Sequence, residues 1–479
     1  MKKWIARAVL AVVVCAAAIA VWQALRPSPP RAVFLIVIDT LRADRLSCYG
    51  YKSHQTANID ALADRGVLFE NAFTNASWTV PGMGTIMTSL YPTQLGLVEQ
   101  PASPGRRFAW RDRREQILYT LSLSMTTLAE VFHGAGYQTA GFVNQPALNN
   151  RDGFVQGFDD WFYPVGGDTV IHRDPEERLL ENTLTRKALT PWQHVDRTDS
   201  ALVGTFVEWM ETAPREDSFV WLHLLSPHKP YTPPPGYAPP RSSGTKRDPN
   251  MDSELYNGEI RYSDHLMSKV LEAIDRRVGL DNALVVFTSD HGEEFGDHGM
   301  DDHGHSLHRE IVHVPLIMSA PNLPAGRRVE QTVSLIDLYP TILSLCGMSD
   351  LATPDVEGTD MTPLVAGRGP DRVVFAEGML YGSTERALQV GGFHLMWDEQ
   401  GDAYRLFRVS ADPGETLDVS ARFKREIDQL RTSLVDMHKF VLEDFRRRAR
   451  GESAADSLAT ARERERVLKA MKSLGYINE

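Results

Sequence analysis

The chain has 479 residues, of which 42% are hydrophobic and 24% charged, and a formal net charge of −12. That balance excludes a mostly disordered chain, a collagen and a multi-span membrane protein, and the acidic excess argues against nucleic acid as a partner. Three cysteines exclude a disulfide scaffold.

The chain opens with Lys2, Lys3 and Arg7, followed by an apolar run over residues 8–21, then Trp22, Arg26 and Pro27-Ser28-Pro29-Pro30. A positive flank before an apolar stretch is the grammar of a signal sequence. Ala18-Ile19-Ala20 offers a cleavage site. Alternatively the run extends to about Leu25 and stays as a single anchor, because roughly 17–25 residues span a bilayer. The uncleaved anchor is the favoured expectation. Both readings put the rest of the chain outside the cytoplasm, either membrane-anchored or secreted or periplasmic after cleavage.

Next comes Ala32-Val33-Phe34-Leu35-Ile36-Val37-Ile38, a continuous apolar run that stops at Asp39. Such runs are typical of parallel strands buried on both faces. Residues 138–143, 219–225 and 283–287 read the same way, with a shorter fifth run at 314–318. Helical patterns lie between them at 59–65, 125–135, 198–212 and 262–278. The alternation predicts an α/β fold, a doubly wound and mostly parallel sheet covered by helices. Residues 101–115 (basic), 163–197 (polar) and 233–250 (rich in Pro, Gly and Ser) read as insertions. After about Gly367 the texture changes to short strands at 373–375, 386–390 and 404–409 and a helix near 423–443. The expected organisation is a signal or anchor (1–30), a catalytic domain (31–370), a small C-terminal α+β domain (371–445) and a charged helical tail (446–479).

Ligands of open parallel sheets bind beyond the carboxyl ends of the strands. Asp39 closes the first strand, and Asp290 and His291 close the run that ends Thr288-Ser289. Carboxylates with an imidazole suit a divalent cation, although a lone Asp after a strand is more often a helix cap. Ser77-Trp78-Thr79-Val80-Pro81 places a hydroxyl at a helix start, where free N–H groups favour an anion. Thr79 there is either an ordinary cap or a metal-activated nucleophile. His228 and Lys229 follow another strand and suit protonation of a leaving oxygen or binding of an anion. His298, His303, His305, His308 and His313 follow the Asp-His pair.

In their order, these segments resemble the sulfatase family of the alkaline phosphatase superfamily. The resemblance is carried by Val37-Ile38-Asp39-Thr40-Leu41-Arg42-Ala43-Asp44-Arg45-Leu46, by Thr79-Val80-Pro81 running on to Leu90-Tyr91-Pro92, and by Ser226-Pro227-His228-Lys229-Pro230-Tyr231. Thr288-Ser289-Asp290-His291-Gly292, His303-Gly304-His305-Ser306-Leu307, Asp337-Leu338-Tyr339-Pro340-Thr341 and Asp412-Pro413-Gly414-Glu415 complete it. It implies one divalent metal (Ca²⁺, Mn²⁺, Mg²⁺ or Zn²⁺) held by Asp39, Asp290 and His291, with Thr79 as nucleophile and partial ligand. It places His228 at the ester or its leaving group, and His305, or alternatively His303, near the position of an anion-binding Lys.

Three departures mark this chain. Thr40 stands where the family commonly has a second carboxylate. Thr79 and Met83 occupy the outer positions of its Cys-x-Pro-x-Arg pattern, so no formylglycine is expected, since a secondary alcohol cannot become that aldehyde. Leu95-Gly96, in Gln94-Leu95-Gly96, stands where a His-Gly is common. The expected activity is metal-dependent hydrolysis of a sulfate or phosphate ester through a covalent Thr79 intermediate. The alternatives are a transferase of phosphoethanolamine type and an inactive anion-binding homologue.

Overall fold

The computed structural model describes residues 29–98, 121–148, 153–165, 168–172, 195–212, 217–239, 249–380 and 384–450. The N-terminal apolar run, the basic insertion and nearly all of the charged tail lie outside them. Among the described residues no helix is long and apolar enough to cross a membrane.

Fifteen strands are found among those residues: β1 (Ala32–Ile38), β2 (Val67–Phe73), β3 (Gln138–Val143), β4 (Asp160–Val165), β5 (Asp168–His172), β6 (Ser218–Leu224), β7 (Ala283–Thr288), β8 (Glu294–Phe295), β9 (Asp301–Asp302), β10 (Leu316–Ser319), β11 (Arg327–Ser334), β12 (Val374–Ala376), β13 (Glu385–Val390), β14 (Phe393–Asp398) and β15 (Ala403–Arg408). Nine of them form one sheet in the order β11-β2-β10-β7-β1-β6-β3-β4-β5. β1 lies at its centre, parallel to both β6 and β7. β10 runs antiparallel to both neighbours, and β5 is antiparallel to β4, so the sheet is mostly but not wholly parallel.

β1 shows why an unbroken apolar run belongs in such a sheet. Side chains alternate faces along a strand. Val33, Leu35 and Val37 enter one core with Met83, Phe132 and Tyr339. Ala32, Phe34, Ile36 and Ile38 enter the other with Phe206, Tyr256 and Leu266. The first core lies under helices Thr79–Thr88, Leu128–Gly134 and Leu338–Leu345, and the second under Ala57–Arg65, Val195–Thr212 and Pro249–Arg277. Both faces are covered, as the sequence predicts.

The differences have simple causes. β2 escapes an apolar scan because half-exposed Glu70 and Asn71 interrupt it. The helix expected from residue 262 begins at Pro249, and its buried Leu255, Tyr256 and Ile260 extend the apolar stripe past a polar Asn257-Gly258-Glu259 interruption. Past the main domain, β12 to β15 form an antiparallel sheet, and helix Lys424–Ala449 packs Leu430, Leu434, Phe440 and Val441 against it. Cys48 and Cys346 are free thiols.

Candidate metal and ester site

The carboxyl ends of β1 and β7 deliver Asp39 and Asp290-His291 to one fully buried place. Helix Thr79–Thr88 starts at the same place. It approaches so closely that a Cβ at Gly82 would lie 2.8 Å from the carbonyl oxygen of Asp290. Glycine is what permits this contact between helix and strand end.

Each carboxylate has one oxygen satisfied by protein and one left without a hydrogen bond. Asp290 Oδ1 accepts from the backbone N–H of Thr40 (3.3 Å) and of His291 (3.0 Å). Asp39 Oδ2 accepts from Gln145 Nε2 (2.5 Å) and pairs with His223 Nε2 (3.3 Å). Asp39 Oδ1 and Asp290 Oδ2 are buried and accept no hydrogen bond. Both face His291 Nε2, at 3.6 and 3.5 Å. Nδ1 of His291 lies 2.9 Å from the carbonyl oxygen of Gly292. A carbonyl only accepts, so Nδ1 carries the proton and Nε2 keeps its lone pair. The Thr79 hydroxyl donates to that lone pair across 3.2 Å.

The electrostatics are those of a cation site. Burial pushes the Asp39 carboxyl up, but the His223 hydrogen bond and the imidazoles of His228 and His291 outweigh it and hold it well below the usual range. Burial and then the Asp39 charge raise Asp290. Burial keeps His291 neutral by lowering its pKa. Two orphaned carboxylate oxygens, an imidazole lone pair and a hydroxyl, all buried together, fit a divalent cation. Asp39, His223 and Asp290 also lie within the mutual spacing of a ligand set.

The other expected residues are distributed around this centre. His303 packs on His291 with ring centroids 4.5 Å apart, and His228 packs on His303 at 5.0 Å. The loop bearing His303 is tied down where the Gly304 N–H donates to the carbonyl oxygen of Ser77 (3.0 Å). Half-exposed Lys229 reaches Asp302 Oδ2 at 3.2 Å. His305 pairs with buried Glu294 (2.7 Å) and lies 3.2 Å from the His303 carbonyl. Of the two histidines weighed for the anion-binding position, His303 is the one in contact with His291.

Sequence reasoning missed His223 and Gln145. His223 sits inside the apolar run of β6, and the signal was a polar residue near the carboxyl end of a buried strand. Gln145 is the second residue past the end of β3. Met83 and Leu95 are both buried in the hydrophobic core, and neighbouring Gln94 donates to Glu357 Oε1 (3.0 Å) and Asp444 Oδ2 (2.8 Å). The departures at Met83 and Leu95 therefore serve packing here.

The Sulfatase family model matches residues 31–348. The chain belongs to the sulfatase family. It is therefore a hydrolase of the sulfuric and phosphoric ester class. It is 25% identical over 374 residues to the uncharacterized sulfatase YidJ of Escherichia coli K12, covering 68% of this chain and 69% of that protein. In fold it resembles the phosphonate monoester hydrolase of Agrobacterium radiobacter, with a TM-score of 0.64 and 21% identity over 88% of this chain and 96% of that one. A protein solved with its substrate D-glucosamine-2-N,6-O-disulfate gives a TM-score of 0.65 and 16% identity over 88% of this chain and 98% of that one.

Proposed function

We propose that this sulfatase-family chain is an extracytoplasmic, membrane-anchored hydrolase of sulfate or phosphate esters in which Thr79 is the nucleophile. The observation that carries the reading is the 3.2 Å contact between Thr79 Oγ1 and His291 Nε2, beside the orphaned oxygens of Asp39 and Asp290. The anchor rests on the charged and apolar pattern of the first residues.

Asp39, Asp290, His291 and Thr79 would hold one divalent cation, and His223 offers an imidazole on the same Asp39 carboxylate. Such an ion polarises an ester oxygen and lowers the pKa of a bound hydroxyl. The chain's own groups do the rest. Helix Thr79–Thr88 fixes the hydroxyl at its first turn, where the helix dipole favours the ester's negative charge. Attack by Thr79 Oγ1 on sulfur or phosphorus expels the alcohol. His228 and Lys229, at the outer side of His303, supply the leaving oxygen with a proton. Water then hydrolyses the esterified Thr79 and restores the hydroxyl. A secondary alcohol has no hemiacetal route for releasing its ester, so water must attack the sulfur or phosphorus centre itself.

Replacing Thr79 with Ala should remove nearly all turnover on paired aryl sulfate, phosphate monoester and phosphodiester substrates while metal content is unchanged. Undiminished turnover in that variant would sink the nucleophile. Analysis of products formed in water and in added alcohol separates hydrolysis from head-group transfer.

A further inference from the structure

We propose that Glu293, Asp302 and His303 form a second divalent-cation site, next to the one assigned above and distinct from it. The short β8–β9 hairpin brings them together. Glu293 precedes β8, Asp302 ends β9 and His303 follows it, with Glu294 paired to Asp302 across the hairpin.

His303 Nδ1 lies between two carboxylate oxygens, Glu293 Oε1 at 2.9 Å and Asp302 Oδ1 at 3.0 Å. A single N–H points at one acceptor, so a proton on Nδ1 is given to one of these oxygens and not both, while Asp302 Oδ1 also accepts from the His303 backbone N–H (3.1 Å). Glu293 is fully buried, and its second oxygen, Oε2, accepts no hydrogen bond. An orphaned carboxylate oxygen in the interior is costly unless something positive meets it. Bonds of about 2.1 Å to one cation set its ligand atoms about 3.0 Å apart at octahedral angles and about 3.4 Å apart at tetrahedral ones, close to the separations found here. One imidazole and two carboxylates suit Zn²⁺ or Mn²⁺. Asp302 is the half-exposed member and opens the site to solvent. Its other oxygen, Oδ2, is held by the Lys229 ammonium at 3.2 Å, which leaves Oδ1 directed at His303.

The site adjoins the first through the contact between His303 and His291, at 4.5 Å between ring centroids, yet shares no residue with it. The two can therefore be emptied separately. The test uses the full chain, stripped by a chelator, reloaded with Zn²⁺, desalted and counted by elemental mass spectrometry. Wild type should retain two ions per chain. Glu293→Gln and Asp302→Asn should each retain one. Asp302→Asn keeps the test decisive where the buried Glu293→Gln disturbs folding, which circular dichroism reports. The double variant Asp39→Asn, Asp290→Asn should also retain one. A single ion in wild type that survives in Asp302→Asn and is lost in the double variant overturns the second site and leaves the Thr79 centre standing. A single ion lost in Asp302→Asn and kept in the double variant supports the second site and overturns the first.

Discussion

Met83 is the residue whose identity says most about how this chain differs from its family. It occupies the outer position of the nucleophile segment and is wholly buried among Val80, Met87 and Leu90. Changing it to Arg would restore a familiar residue type in a buried, apolar place. An unpaired buried charge costs about 3–5 kcal/mol. Met83→Arg should therefore lower the urea midpoint sharply and confer no sulfatase gain. A variant as stable as wild type would show that the pocket extends to residue 83. At this scale the sequence was informative where a residue ends a strand. Asp39, Asp290 and His291 were legible because the apolar runs before them stop there. His223 was not, because Leu222 and Leu224 on either side keep its run reading as core, and only the alternation of faces sends its ring toward Asp39.

At the scale of elements, the fit between helix Thr79–Thr88 and the end of β7 decides the geometry of the site. Glycine inside a helix usually costs about 1 kcal/mol relative to alanine. Gly82→Ala should behave in the opposite sense, because its Cβ would press on the Asp290 carbonyl oxygen at 2.8 Å and push Thr79 away from His291. Misplacement of about 1 Å costs on the order of 100-fold in rate. Steady-state kinetics should show that loss in kcat, with no gain in melting temperature. A faster or more stable enzyme would mean that the helix does not set the position of Thr79. The elements themselves were read from period and run length, which served β1, β3, β6 and β7 well. β14 and the first part of helix Pro249–Arg277 went unread, since their apolar positions matter only once another element lies against them.

At the scale of the whole molecule, Glu415 joins the C-terminal sheet to the main domain. It is fully buried and receives His308 Nδ1 (2.8 Å), the backbone N–H of Arg309 (3.1 Å) and His394 Nδ1 (2.5 Å). Burial raises its pKa, but the imidazoles of His394 and His308 outweigh this and hold it far below its ordinary value of 4.5. A carboxyl whose folded pKa is depressed stabilises the fold above its unfolded pKa and loses that contribution as pH falls. Acid below about 4.5 should therefore loosen the C-terminal sheet, read as faster limited proteolysis after residue 370. Glu415→Gln should cost about 2–4 kcal/mol near neutral pH and flatten that acid response. Equal acid sensitivity in the variant would remove Glu415 from the account.

β1 is the first of the described strands, yet its partners β6 and β7 arrive roughly 180 to 250 residues later. Thr40 and Asp290, joined by a hydrogen bond, are 250 residues apart. A chain made or exported from its N-terminus must carry the bare segment Ala32–Ile38 until both β6 and β7 have emerged. Pairings so distant in sequence are slow to form, and an unpaired apolar strand is a template for other chains meanwhile. Production of this protein is thus governed by the waiting time of one seven-residue strand, and yield should follow the supply of holding chaperones more closely than it follows the stability of the finished fold.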